Sequence, residues 1–104
     1  MPATATRETL RQKQSRFAHM VALLILHAEQ LGYEVTFAEA YRRGDKLLHG
    51  KRLAVDLNLF RDGRYLKTTK SHARLGAYWQ SIGGAWGGDF DDGNHYSLEH
   101  GGVR

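Results

Sequence analysis

Apolar residues between Arg7 and Leu31 recur at steps of three, four and seven, which places them on one face of an α-helix. We expect Thr6 to cap this helix at its start and Gly32 to end it. The pattern therefore predicts one long N-terminal helix. Its apolar positions are Leu10, Phe17, Val21, Leu24, Ala28 and Leu31.

A period of two follows this helix, as in strands that have one buried face. Tyr33, Val35 and Phe37 alternate with polar residues and predict a first strand. Residues 53 to 60 predict a second strand, in which Asp56 faces away from the apolar side chains. Those apolar side chains are Leu53, Val55, Leu57 and Leu59.

Turn-forming residues divide the rest of the chain. Asp62-Gly63 predicts a tight hairpin. Ser71 is placed to cap a short helix that ends at Gly83-Gly84. A glycine-rich loop, Ala85 to Asn94, then leads to a last strand, His95 to Leu98. Because no regular βαβ alternation occurs, we predict an α+β fold, in which a small antiparallel sheet packs with the long helix and the shorter helix.

The composition is that of one folded domain with a net positive charge. The 104 residues suffice for one core and are too few for two, so we expect a single domain over residues 1–104. Without cysteine, disulfide scaffolds, zinc fingers and thiol nucleophiles are excluded, and any metal must be held by His, Asp or Glu. The net charge of +4 favours a polyanionic partner, such as nucleic acid, an anionic membrane or a cell-wall polymer, without choosing among them. No apolar run approaches the roughly 20 residues of a membrane span, and no signal peptide is recognisable, so we expect a soluble protein made in the cytoplasm.

Side chains that can bind a metal concentrate in two segments, His49 to Asp56 and Asp89 to His95. Two histidines, one carboxylate and one open position form the ligand set of catalytic zinc. Seven extended residues would separate His49 from Asp56 by about 23 Å, so the chain must double back after His49 if both bind one ion. The turn pair between Asp92 and His95 can bring both side chains to one side, where one can bind metal and the other can handle protons.

The runs HGKRLAVDLNLF and WGGDFDDGNHY resemble the signatures of a zinc peptidase family. This family contains D-alanyl-D-alanine carboxypeptidases and phage L-alanyl-D-glutamate endopeptidases, and its pattern is S-x-H-x-x-G-x-A-x-D followed by D-x-x-H. The resemblance covers roughly residues 33–96. It implies that zinc is bound on the sheet by His49, Asp56 and His95, that Asp92 is the general base, and that Arg42 stabilises negative charge on the substrate.

The chain departs from the family pattern at several positions. Leu47 stands where the pattern has Ser, Arg52 replaces its Gly, and Ser97 stands where an acidic residue often follows the second histidine. Only six residues separate Arg42 from His49, and Arg43 is an equally near candidate for the same role. These departures affect the arginine assignment most and leave the predicted metal ligands intact.

The remaining candidate side chains are expected to be structural. We expect Asp89 and Asp91 to form turns or to accept a hydrogen bond from a ligating histidine. His72 and His100 are expected on the surface, and Trp79 is expected in the core or at its rim.

We therefore predict a zinc-dependent peptidoglycan peptidase, a phage lysis enzyme that cleaves the L-Ala-D-Glu bond of the stem peptide. It is expected to accumulate in the host cytoplasm and to act on the bacterial cell wall after release, as a monomer without nucleic acid and without stable membrane insertion. D-Ala-D-Ala carboxypeptidase activity is the alternative within the family. A different class, a small basic protein that binds nucleic acid or an anionic surface, predicts a continuous basic stripe and no stoichiometric zinc.

Overall fold

The computed structural model describes residues 7–104, in which helices pack on one face of an antiparallel sheet. The predicted α+β class, with one long N-terminal helix and one shorter helix, is confirmed. Within these residues, no helix is both long enough and apolar enough to cross a membrane. The helices are α1 (Leu10–Gln30) and α2 (Ala73–Ser81), and the strands are β1 (Glu34–Glu39), β2 (Ala54–Arg61), β3 (Arg64–Leu66), β4 (Ala85–Trp86) and β5 (His95–Ser97).

Helix α1 begins with a capping box. Thr9 Oγ1 accepts a hydrogen bond from the backbone N–H of Gln12 at 3.1 Å, and Gln12 Oε1 accepts one from the backbone N–H of Thr9 at 2.9 Å. The predicted cap, Thr6, lies outside the described residues, and the helix begins at Leu10, so that prediction was three residues too early. At the other end, Gly32 has a φ of +88°, which is the left-handed conformation expected of a glycine that ends a helix.

Strand β2 is the centre of the sheet. It pairs with β1 along one edge and with both β3 and β5 along the other, while β4 extends the sheet from β5, and every pairing is antiparallel. The predicted apolar face of β2 is confirmed, since all four of its side chains are buried in the core with α1 and α2. Asp56 lies on the opposite face. The predicted hairpin is also confirmed, because Asp62 and Gly63 both have positive φ and connect β2 to β3.

Strand β1 departs from the predicted alternation at its end. Phe37 pairs with Leu57, but Glu39 pairs with Asp56, so two residues of β1 lie opposite one residue of β2, as in a β-bulge. Phe37 was expected on the buried face and is 61% exposed. It lines an open apolar groove of about 460 Å³ between α1 and the end of β1, beside Phe17. The helix therefore covers only the first part of this edge strand.

Helix α2 is preceded by a 3-10 turn at Lys70–His72, and Ser71 is therefore not its cap. Instead, Thr68 Oγ1 accepts a hydrogen bond from the backbone N–H of Ser71 at 3.1 Å. Trp79 lies fully in the core, as predicted, and its Nε1 donates to the carbonyl of Ser97 at 2.9 Å. This bond ties α2 to the strand that carries His95.

The expectation that His72 lies on the surface is wrong. Its ring is 2% exposed, because the 3-10 turn directs it inward, where Nδ1 lies 2.7 Å from the hydroxyl of Tyr96. Burial lowers the pKa of His72 to about 4 and raises the pKa of Tyr96. A neutral His72 that accepts a hydrogen bond from Tyr96 agrees with both shifts.

Candidate metal centre

Three side chains from the two predicted segments meet on the sheet face that points away from the helices. His49 Nε2 lies 3.4 Å from Asp56 Oδ1, and His95 Nδ1 lies 3.1 Å from the same oxygen. The two imidazole rings are 5.3 Å apart at their centroids. One ligand atom from each residue lies within 4.8 Å of the others, so this group can hold a metal ion.

The sheet itself places Asp56 and His95. They are directly opposite residues in the antiparallel pairing of β2 with β5. Residues in that relation share a face and bring their Cβ atoms within about 5.5 Å of each other. The register of two short strands therefore fixes two of the three candidate ligands.

A tight turn brings His49 next to Asp56. Because the extended chain would separate these residues by about 23 Å, the chain has to fold back between them. The backbone N–H of Leu53 donates to the carbonyl of Leu48 at 2.9 Å, and the N–H of Arg52 donates to the carbonyl of His49 at 3.3 Å. Leu48 is buried and anchors the turn in the core. Gly50 is required here, because a Cβ at this position would lie 1.7 Å from the carbonyl oxygen of Asp45.

The donor set fits a catalytic zinc ion, which in proteins is held by two histidines and one carboxylate and keeps one open position. His49 and His95 are both buried, and one nitrogen of each ring faces the carboxylate. The other nitrogens, His49 Nδ1 and His95 Nε2, are buried without a hydrogen-bond partner among residues 7–104. A cation between the three facing atoms would bind the nitrogen lone pairs and offset the negative charge of Asp56.

Arg42 lies beside this centre and is held there by Glu39. Arg42 Nε donates to Glu39 Oε2 at 3.1 Å, a second bond joins Nη2 to Oε1, and the backbone N–H of Arg42 donates to the carbonyl of His49 at 3.4 Å. This hydrogen bonding lowers the pKa of Glu39 and raises that of Arg42. Arg43, the other candidate, makes no hydrogen bond or ion pair with any described residue.

Sequence reasoning missed Glu39. The alternation Tyr33-Val35-Phe37 would place residue 39 on the helix face, and only the bulge turns Glu39 to the face of Asp56. Bulges leave no clear sequence signature, although an acidic residue that continues an apolar alternation is a sign that the alternation breaks.

Asp92 lies on the turn that leads into β5. Its backbone N–H donates to the carbonyl of Gly87 at 2.8 Å, and its carbonyl accepts from the backbone N–H of His95 at 3.0 Å. Gly87 is required at this close approach, because a Cβ there would lie 2.1 Å from the Asp92 carbonyl oxygen. The carboxylate of Asp92 is exposed and has no hydrogen-bond partner among the described residues, so it is open to solvent.

The other acidic residues of the loop have structural contacts. Asp91 has a φ of +61° and accepts a hydrogen bond from Thr69, as expected of a turn former. Asp89 accepts from Gln80 and Arg104. Sequence reasoning missed Phe90, which lies with its ring centroid 5.8 Å from that of His95. It forms an apolar wall next to a candidate ligand.

Comparisons with known protein families and with curated protein sequences found no match. The chemistry of the site is therefore the basis for a functional proposal. Two short segments supply the three metal-binding side chains and the exposed carboxylate of Asp92. The oriented guanidinium is that of Arg42, in the loop that follows β1.

Proposed function

We propose that this protein is a zinc-dependent peptidoglycan peptidase that cleaves the L-Ala-D-Glu bond of the stem peptide. The observation that carries the proposal is the convergence of His49, Asp56 and His95 on one side of the sheet. Two imidazoles with one carboxylate favour zinc over calcium or magnesium, which prefer all-oxygen sites. The spacing of these residues, together with Asp92, resembles the signature of the peptidase family.

The residues around the centre supply the remaining chemistry of peptide hydrolysis. When bound, zinc supplies an electrophile for the scissile carbonyl and lowers the pKa of water toward about 7. Asp92 accepts the proton of the attacking water at its free carboxylate and returns it to the leaving amine. Because the backbone of Asp92 is bonded to that of His95, the base keeps a fixed relation to the metal ligands.

Arg42 provides the positive charge. Glu39 engages two of its five N–H donors, so the others remain available on a side chain that is 54% exposed. A guanidinium held in place in this way stabilises the developing oxyanion or binds a substrate carboxylate without having to reorganise. The stem peptide is rich in carboxylates, which suits this arrangement.

A lytic role would require endopeptidase activity rather than carboxypeptidase activity. Removal of a terminal D-Ala leaves existing cross-links intact, whereas cleavage between L-Ala and D-Glu detaches the peptide from the glycan. The net charge of +4 gives a weak attraction to anionic wall polymers. We propose that the protein acts in phage-induced lysis, as a monomer that is made in the host cytoplasm and acts on the cell wall after release.

The test is digestion of purified wall fragments with the zinc-loaded protein, followed by mass spectrometry. New free D-Glu amino termini are expected, and they should be absent with the His49→Ala variant. Free D-Ala as the only product would make the protein a carboxypeptidase. If elemental analysis finds no stoichiometric zinc and no bond is cut, the basic binding protein is the better description.

A further inference from the structure

The sheet face that carries the candidate metal centre continues along β2 as a surface of a different kind. Side chains two residues apart on a strand share a face, so Asp56, Asn58 and Phe60 lie in one row. The row extends about 7 Å from Asp56 to Asn58 and about 13 Å to Phe60. Both helices pack on the opposite face.

A polar ladder crosses three strands on this face. The hydroxyl of Tyr65, on β3, donates to Asn58 Oδ1 at 3.3 Å, and Asn58 Nδ2 donates to Thr36 Oγ1, on β1, at 3.2 Å. An amide has two donors and several acceptor lone pairs, so Asn58 keeps unused hydrogen-bonding capacity after these two bonds. The ladder holds its side chain in one orientation, ready for a ligand.

Two aromatic rings extend the ladder away from the metal centre. Phe60 and Tyr65 are cross-strand partners whose centroids are 5.3 Å apart with 32° between their planes. Tyr65 is 49% exposed, and Phe60 is partly exposed. The rings therefore lie side by side as one apolar platform beside a fixed amide.

We propose that this strand-face subsite, formed by Thr36, Asn58, Phe60 and Tyr65, binds an N-acetylated sugar of the glycan strand that carries the stem peptide. This inference rests on the proposed function, since it identifies what lies on one side of the bond to be cut. A pyranose has an apolar face of C–H groups that packs on the negative face of an aromatic ring. Its hydroxyl and N-acetyl groups pair with neutral amides and hydroxyls such as those of Asn58 and Thr36.

The dimensions of the substrate fit this position. One L-Ala residue and one lactyl link separate the sugar from the L-Ala-D-Glu bond, which is about 7 Å of extended chain. The step from Asp56 to Asn58 is the same length, so a sugar that begins at Asn58 extends over the next step of about 7 Å to the aromatic pair of Phe60 and Tyr65.

The four side chains of the subsite are uncharged, and Glu34, which pairs with Phe60, adds a negative charge beside them that disfavours the acidic part of the stem peptide. One cation is also near, since Lys67 Nζ lies 5.8 Å from the centroid of the Tyr65 ring.

The test is an NMR titration of the full chain with a peptide-free tetrasaccharide of alternating N-acetylglucosamine and N-acetylmuramic acid. The backbone amides of Asn58, Phe60 and Tyr65 should shift. Tyr65→Ala should weaken binding about tenfold, whereas Tyr65→Phe keeps the ring and should lose less. Phe37→Ala removes another exposed aromatic ring, 61% exposed against 49% for Tyr65, from the opposite face and should bind like the wild type.

Two further measurements distinguish a failure of this inference from a failure of the proposed function. If the tetrasaccharide leaves these amides unchanged, or if free stem peptide shifts them instead, the subsite is not a sugar site. In hydrolysis assays, Tyr65→Ala should raise KM for glycan-linked peptide and leave kcat, and the cleavage of glycan-free peptide, unchanged. An unchanged KM would also overturn the subsite, although cleavage itself would uphold the peptidase. Sugar binding without any hydrolysis would uphold the subsite and reject the peptidase.

Discussion

The candidate metal centre is built from two halves that are held in different ways. Asp56 and His95 are cross-strand partners, so the hydrogen-bond register of β2 and β5 positions them. His49 comes from a turn that depends on the buried side chain of Leu48 and on the close approach at Gly50. The strand half should therefore persist when the turn half is disturbed. The centre can lose metal affinity without losing the fold.

The largest effect should follow from removal of a ligand from either half. His49→Ala and His95→Ala should each lose most bound zinc and essentially all hydrolysis, because two protein ligands hold zinc far more weakly than three. The melting temperature of the zinc-loaded protein should fall as well, since the metal ties the turn to β5. Elemental analysis and calorimetry measure both effects, and the exposed His19→Ala is the control. A His49→Ala protein that still binds one zinc tightly would remove the turn half from the centre.

Replacement of Asp92 should separate chemistry from metal binding. Asp92→Asn should keep zinc and lose roughly a thousandfold in kcat, because the amide cannot take up a proton. The neighbouring Asp91→Asn should stay near the wild type, since Asp91 serves the turn. Steady-state kinetics together with zinc analysis would show whether Asp92 is the general base. Near-normal turnover in Asp92→Asn would assign that role to Asp91 or Asp89 instead.

Substitution of Arg42 tests the turn half of the centre without removing a metal ligand. Arg42→Ala should lower kcat about a hundredfold with zinc content unchanged. Glu39→Gln, which removes the carboxylate that orients the guanidinium, should cause a smaller loss. The matched control is Arg43→Ala, which removes a neighbouring arginine that contacts none of the described polar groups. Equal losses in the two arginine variants would mean that the orientation by Glu39 does not matter.

Gly50→Ala probes the difference between the halves most directly. The added methyl group would collide with the carbonyl of Asp45, so the turn must shift and carry His49 with it. Zinc should bind roughly tenfold more weakly, while the amide signals of Asp56 and His95 in NMR spectra should stay in place. The control is Gly63→Asn in the remote hairpin. Loss of the β2–β5 signals in Gly50→Ala would show that the two halves are not independent.

The smallest effect concerns stability below neutral pH. His72 has a folded-state pKa of about 4, below its usual value of 6.5, so only the unfolded chain takes up a proton as the pH falls between these values. The free energy of unfolding should drop by about 2 kcal/mol between about pH 7 and about pH 5, and the loss should end below about pH 4. Urea unfolding of metal-free protein measures this, with His72→Gln expected to lack the component and the exposed His19→Gln to retain it. Equal pH slopes in the wild type and His72→Gln would contradict the assignment.

The sequence predicted the features that depend on periodicity and local turns. Alternation placed Asp56 opposite the leucine face, and Asp62-Gly63 set the hairpin that fixes the register of β3. The inward orientation of His72 was not predictable, because it depends on a 3-10 turn in which the N–H of Ser71 donates to the side chain of Thr68, rather than on a cap formed by Ser71. The start of α1 was misassigned for a related reason, since Thr6 and Thr9 are both competent caps and only the reciprocal bond with Gln12 distinguishes them.

The extra residue in β1 determines which kind of mutation this corner of the protein tolerates. Substitutions before Phe37 alter side chains but leave the count of residues along the strand intact. Deletion of Ala38 would remove the extra residue and leave Glu39 opposite Asp56, whereas insertion of one residue after Ala38 would bring Glu39 opposite Val55. After the insertion, the carboxylate of Glu39 would point into the hydrocarbon interior and Arg42 would lose its anchor. Over evolutionary time, this short segment should accept substitutions more readily than insertions.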